Sequence, residues 1–404
     1  MKFSKRITDM QASPIRKLVP YANEAKAKGK RVYHLNIGQP DIETPAGFFD
    51  AVRNFKEDVL AYSTSAGSNE MLDAIRKYYE GYGIDYEREH IIVTNGGSEA
   101  LMFAMIAVCD PGDEILVPEP FYTNYNGFGQ AVNVTLKPIT TRAENGFHLP
   151  PEEEIEKTIT TATRAILMSN PGNPTGVVYT DAEIAMLAKL AKKHDLFIIA
   201  DEVYREFVYD GLKYTSFGTL KEIEDRVILV DSVSKRFSAC GARIGCIVSK
   251  NRELMAQVMK LAQGRLCVPT LEQVGAAELY KTPMSYLKEV NEEYTRRRNI
   301  LYKALKEMPG VVCEEPKGAF YVVVKLPVDN AEKFVIWMLR DFDVDGETVM
   351  MAPAEGFYAT PGLGRDEVRL AYVLKEKDLA KAMHILKAGL EAYPGRVEAI
   401  SVSA

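Results

Sequence analysis

Cysteine is scarce and unpatterned in this chain. Cys109, Cys240, Cys246, Cys267 and Cys313 are odd in number and scattered, mostly within apolar runs, and no C-x-x-C pair occurs. Neither a disulfide framework nor a zinc site is expected, and reduced thiols in a cytoplasmic setting are the simplest reading. Long apolar runs are missing as well. None approaches the ~18 residues that a membrane-spanning helix needs. The N-terminal stretch "MKFSKRITDMQASPIRKL" alternates charged and apolar residues, unlike the apolar core of a secretory signal, so no membrane partner is expected. An excess of basic residues is also absent: 50 Lys and Arg face 56 Asp and Glu, for a formal net charge of −6. That balance argues against nucleic acid as a partner. Finally, no G-x-G-x-x-G and no G-x-x-x-x-G-K-[ST] is present, which removes support for dinucleotide and nucleoside-triphosphate binding. No metal site is expected.

What is present is a regular alternation. The 404 residues, 47% hydrophobic and 26% charged, are enough for two or three units at roughly 100–200 residues each. "HIIVTNGG", "DEILVPEP", "RAILMSNPGNPTG", "LFIIADEVY", "RVILVDSVSK" and "ARIGCIVSK" read as strands, and "SEALMFAMIAV" and "DAEIAMLAKLAKKH" as helices, the second opened by a cap at Asp181. Continuous apolar strands alternating with helices predict an α/β fold, with a mostly parallel central sheet flanked by helices. Near residue 290 the texture changes to long charged helices around the strand "GAFYVVVKLP". The expected organisation is an N-terminal arm, residues 1–45, packed on one or both units; a large domain, 46–290; and a smaller α+β domain, 291–404.

In an open α/β sheet, ligands sit at the carboxyl ends of the strands. Five such ends carry unusual groups. "VTNGGSEA" places Gly96, Gly97 and Ser98 where a strand turns into a helix, a geometry that suits a phosphate. "PEPFYTNY" places Phe121, Tyr122 and Tyr125 where a ring can stack on a flat ligand. "SNPGNPTG" is a rigid turn that holds Asn173 as a hydrogen-bond donor. "IIADEVY" ends an apolar run on Asp201, with Tyr204 three residues on. A buried carboxylate is costly unless paired, and the partner is either a nearby arginine or a protonated ring nitrogen. "DSVSKRFSACGARIG" places Lys235 between Ser232 and Ser234 on one side and Arg243 on the other. Each string alone is an ordinary turn, aromatic pair or surface loop. Pyridoxal 5'-phosphate meets all five demands at once: its aldehyde for a Schiff base with Lys235, its ring nitrogen for Asp201, its phosphate for Gly97, Ser98, the serines and Arg243, its ring face for Tyr122, and its phenolic oxygen for Asn173 and Tyr204.

The chain resembles the class I pyridoxal-phosphate-dependent aminotransferases of fold type I. The strings "NIGQPD" (36–41), "AYSTSAG" (61–67), "VTNGGSEA" (93–100), "PEPFYTNY" (118–125), "SNPGNPTG" (169–176), "ADEVY" (200–204), "SVSKRFSACGARIG" (232–245) and "VRLAY" (368–372) follow the family's order. The resemblance implies that Arg369 grips the substrate α-carboxylate bidentately, that Gly38 offers it a backbone N–H, and that Tyr62 reaches the phosphate of a partner subunit. A homodimer with shared active sites follows. It also implies ping-pong transamination between an amino acid and a 2-oxo acid, with Lys235 as general base. Two departures stand out: Ala242 precedes Arg243 where the family often has a bulky aromatic, and Tyr122 occupies the stacking position that some relatives fill with Trp or Phe. For an aspartate-type substrate, Arg265 is the candidate cation for the distal carboxylate, leaning towards a partner's site. Alanine or aromatic amino acids are alternative donors. β-Elimination of cysteine conjugates is an alternative chemistry. A ligand-sensing regulator is disfavoured, because the chain has neither a basic arm nor length for a DNA-binding module.

Overall fold

The computed structural model describes residues 1–397; the end of the expected 291–404 unit lies outside the described residues. Twelve strands follow one another: β1 (Arg31–His34), β2 (Ile91–Thr94), β3 (Glu114–Glu119), β4 (Thr135–Thr140), β5 (Thr163–Ser169), β6 (Phe197–Asp201), β7 (Val227–Ser232), β8 (Gly245–Val248), β9 (Tyr321–Lys325), β10 (Glu347–Met350), β11 (Ala352–Pro353) and β12 (Glu367–Ala371). Seven of them form the central sheet, in the order β2-β8-β7-β6-β5-β3-β4. Its pairs are parallel except those made by β8, which runs against both neighbours. The short apolar strand "GCIV" thus carries no direction in its pattern; its pairing with β2 and β7 sets it.

Side chains along the central strands alternate between two cores, as the pleat requires. Ile166 and Met168 of β5, Ile198 and Ala200 of β6, and Leu229 of β7 belong to one. Ala165 and Leu167, Ile199, and Ile228 and Val230 belong to the other. Helices cover both faces, which is why these strands are apolar throughout rather than alternating. Each isoleucine, leucine, valine or methionine among them contributes roughly 1.5–3 kcal/mol on burial. The helix Gly97–Val108 covers the second face through Leu101, Phe103 and Met105. The helix Asp181–Lys193 covers the first. Its cap is Thr180, not Asp181: Thr180 is extended and accepts from the Glu183 N–H, while Glu183 answers in a capping box. Asp181 lies inside the first turn and pairs with Lys213.

A further core joins distant parts of the chain. Leu18, Ala22 and Ala25 pack with Val322, Val324, Leu370 and Leu386, and β1 pairs in parallel with β10. The antiparallel sheet β11-β12-β9 lies beside them. The helix Met284–Lys306 runs unbroken through residue 290. Its Leu287 belongs to a sheet core, while Val290, Tyr294, Leu301 and Leu305 belong to the core shared with the N-terminal segment. The textural change at 290 therefore marks where one helix passes from one core to the other. Among the described residues no helix is long and apolar enough to cross a membrane.

Candidate active site

The parallel strands end together. Ser169 of β5 stands opposite Asp201 of β6, and Asp201 opposite Val230 of β7. A cavity of about 540 Å³ opens over these ends, lined among others by Gly38, Gly97, Ser98, Tyr122, Asn173, Asp201, Tyr204, Ser232, Ser234, Lys235, Arg243 and Arg369.

Asp201 is buried, and among the described residues no cation pairs with it. The alternative of a neighbouring arginine fails because Arg205 pairs with Glu202 instead. Asp201 accepts a 2.6 Å hydrogen bond from the Tyr125 hydroxyl and a long one, 3.4 Å, from the Val203 N–H. Burial pushes its carboxyl up to about 6 against that hydroxyl's pull. Lys235 projects from the short helix Val233–Arg236 that follows β7. Its Nζ donates to the Gly38 carbonyl at 3.0 Å and lies 3.7 Å from the Cys240 Sγ. Ser232 caps that helix by accepting from the Ser234 N–H, and the two hydroxyls stand 2.6 Å apart.

Arg243 adopts a left-handed backbone, φ +54°, which turns its guanidinium across the neighbouring turn. There Gly96, at φ +76°, leaves room: a Cβ on it would stand 2.3 Å from Arg243 Nη2. Gly96 thus does not line the cavity itself. It admits the arginine and caps the helix Gly97–Val108, whose first two residues, Gly97 and Ser98, line the cavity.

The guanidinium of Arg369 is buried. Its Nη1 donates to Asn173 Oδ1 at 3.2 Å and its Nη2 to the Asn36 carbonyl at 2.6 Å, while Nε has no partner. The rings of Tyr321 and Phe357 lie 4.6 and 5.1 Å from its centre. Burial lowers its pKa, and the phenols of Tyr321, Tyr204 and Tyr122 oppose that. Asn173 is a bridge, since its Nδ2 also donates to the Tyr204 hydroxyl at 3.4 Å.

Two residues proposed from the sequence stand apart. Tyr62 is 80% exposed and does not line this cavity. Arg265 does not line this cavity either: its guanidinium lies 3.4 Å from Glu99, its Nη2 donates to the Val93 carbonyl at 3.0 Å and the Ser65 carbonyl at 3.5 Å, and its Nε and Nη1 make no hydrogen bond. Three residues were not anticipated in the roles that the fold gives them. Tyr125 meets Asp201 rather than a ligand ring. Tyr321 opens β9 and enters the cavity, and only its place at the start of the strand "YVVVK" could have hinted at it. Arg16 enters from the N-terminal segment, and no local pattern announces it.

The donor set fits pyridoxal phosphate. A buried carboxyl lacking a counter-cation suits a protonated ring nitrogen, the helix start with Ser98, Ser232, Ser234 and Arg243 suits a phosphate, and the Lys235 amine suits an aldehyde.

Residues 30–386 match the family model of aminotransferase class I and II. The chain is 31% identical to the aspartate aminotransferase of Bacillus subtilis strain 168, over 97% of this chain and 100% of that one. Among solved structures, aspartate aminotransferase from Thermotoga maritima superimposes with a TM-score of 0.88 at 30% identity, covering 96% of this chain and 100% of the other. Alanine aminotransferase from Pyrococcus furiosus does so at 0.87 and 31%, covering 96% and 99%.

Proposed function

Because the chain belongs to the class I and II aminotransferases, we propose that this pyridoxal-phosphate-dependent transaminase moves the amino group of an aspartate-type L-amino acid to 2-oxoglutarate, with the residues gathered in the cavity as its machinery. The observation that carries the assignment of roles is the convergence of the Lys235 amine, the cation-free Asp201 carboxyl and the doubly held Arg369 guanidinium in one cavity. When bound, the cofactor supplies a carbonyl for amines and a protonated ring that draws electrons from the substrate Cα.

The protein's part is binding, orientation and proton handling. Arg369, which lines the cavity, takes the α-carboxylate, with the Gly38 N–H beside it. Tyr321 and Phe357 restrict the guanidinium so that the carboxylate is met in one orientation. Lys235 Nζ, held at the Gly38 carbonyl, takes the Cα proton and gives it back within the same site. Asp201 keeps the ring nitrogen's proton in place, and Tyr125 keeps Asp201 oriented. Asn173 and Tyr204 hold the phenolic oxygen, Tyr122 supports the ring face, and Gly97, Ser98, Ser232, Ser234 and Arg243 take the phosphate.

The proposed assembly is a homodimer in which Tyr62 serves the partner's site; its exposure in the single chain leaves it free for that. Residues 1–45 and 291–404 are read as one small unit set against 46–290, supported by the β1–β10 pairing. The cytoplasm is the proposed location. The likeness to an alanine aminotransferase makes alanine the second candidate donor. A panel of amino donors with 2-oxoglutarate tests the reading. Glutamate and the donor's own oxo acid should form in equal amounts, fastest with aspartate. Release of pyruvate and ammonia from cysteine conjugates, without glutamate from any donor, would replace it with a β-lyase.

A further inference from the structure

Arg16 and Lys17 are adjacent in the turn Arg16–Leu18, and the fold uses them differently. The Lys17 ammonium pairs with Glu332. Arg16 lines the active-site cavity beside Ser13, Ile15 and Gln39, and among the described residues no carboxylate pairs with it. The turn itself is anchored. Pro14 packs so closely on Gly356 that a Cβ there would stand 2.6 Å from the proline ring. Ile15 packs onto the cluster around Phe357, the same ring that faces the Arg369 guanidinium. Arg16 and the α-carboxylate clamp therefore rest on one support. The Tyr122 phenol, which burial pushes up, feels the charges of both Arg369 and Arg16.

The charges lining the cavity are unequal. Lys235, Arg243, Arg369 and Arg16 are cationic, and Asp201 is the one carboxylate among the described lining residues. The roles given above use Lys235 for chemistry, Arg243 for a phosphate and Arg369 for the α-carboxylate. One guanidinium is left without an anion. Arg265, the other cation considered for a second carboxylate, does not line this cavity and lies 3.4 Å from Glu99.

We propose that Arg16 is the specificity-determining residue that reads the distal carboxylate of an aspartate- or glutamate-sized substrate, from within the same subunit. The proposal rests on the transaminase reading and names the substrate class of that site. A planar guanidinium matches a carboxylate fork, which an ammonium does not. A monocarboxylic substrate such as alanine would leave Arg16 in water, with nothing lost or gained.

The test uses the cofactor-loaded enzyme, wild type against Arg16→Gln and Arg16→Lys. The single half-reactions of aspartate, glutamate and alanine would be measured without an oxo-acid acceptor, because 2-oxoglutarate itself carries a distal carboxylate, and calorimetry would follow the unreactive dicarboxylate maleate against the monocarboxylate butyrate. In Arg16→Gln, the half-saturating concentrations of aspartate and glutamate and the Kd for maleate should rise about 10- to 100-fold, with the alanine half-reaction and butyrate binding unchanged. Arg16→Lys should recover part of the loss. Equal effects on alanine and aspartate, or maleate binding that ignores the substitution, would overturn the proposal. A wild type that makes glutamate from no donor would instead overturn the transaminase reading, before any variant is compared.

Discussion

The hydroxyls of Tyr204 and Tyr321 stand 2.9 Å apart, and that contact joins the two halves of the site. Tyr204 follows β6 and shares Asn173 with the cofactor side. Tyr321 opens β9, and its ring lies 4.6 Å from the Arg369 guanidinium centre on the substrate side. The Tyr321→Phe substitution keeps the ring and removes the hydroxyl. One neutral hydrogen bond is worth about 0.5–1.5 kcal/mol, so kcat should fall up to about tenfold with KM nearly unchanged. The pH midpoint of the bound cofactor's absorbance should move too, because Tyr204 loses its second partner. Tyr321→Ala should raise KM as well, since Arg369 loses its supporting face. Kinetics and a spectral titration of both variants check this.

Gly38 has no room for a side chain. A Cβ there would stand 1.7 Å from the Tyr321 hydroxyl, and the Gly38 carbonyl also receives the Lys235 amine. The Gly38→Ala protein should fold, because the displaced tyrosine borders a cavity. Its activity should drop by about 100-fold, the scale of a one-ångström misplacement at a reacting centre. A thermal melt close to wild type together with undiminished turnover would contradict this.

Asp201 makes the cofactor-free protein's stability depend on pH. Its carboxyl titrates near 6 when folded, against an ordinary 3.8. The folded state therefore holds that proton more tightly than the unfolded chain does. The sign follows: stability from this group is highest below pH 4 and declines as pH rises from about 4 to 6. Thermal melts of wild type and Asp201→Asn across that window should show the decline in the first and its absence in the second. Adding pyridoxal phosphate should flatten the wild-type curve, because the ring nitrogen supplies the missing cation.

Arg236 and Asp231 form an ion pair, 2.5 Å apart, in which neither side chain is exposed to solvent at all. Two of the guanidinium nitrogens, Nε and Nη1, lack hydrogen-bond partners, and the face of Tyr78, 4.2 Å away, compensates in part. Removing one partner strands the other charge. Arg236→Met should cost about 3–5 kcal/mol in urea unfolding, and the double variant Arg236→Met with Asp231→Leu should cost distinctly less. A double variant as unstable as the single one would show that the charge itself is not the issue.

Much of the site was legible because its residues sit on short strings. A strand ending in Asp201, the turn around Asn173, the Gly96–Ser98 corner and the lysine loop each have one local geometry, and the parallel sheet brings their ends to one edge. The cap on the helix Asp181–Lys193 was misplaced by one residue, because Thr180 and Asp181 are both good capping types and only the backbone angle tells them apart. Arg265 illustrates the opposite case: nothing local to a lone arginine at a helix end shows that Glu99, from another helix, lies 3.4 Å from it.

The amino-acid order alone determined the α/β alternation, the two-sided apolar strands and the identity of the groups at their carboxyl ends, because each depends on neighbours within a few residues. Only the tertiary structure decided that Arg16 reaches the cavity, that Tyr321 couples Tyr204 to Arg369, that β1 completes a sheet with β10, and that β8 runs against its neighbours. Those contacts join residues tens to hundreds of positions apart. They are set by how helices and sheets share their cores, and no local period in the chain encodes that.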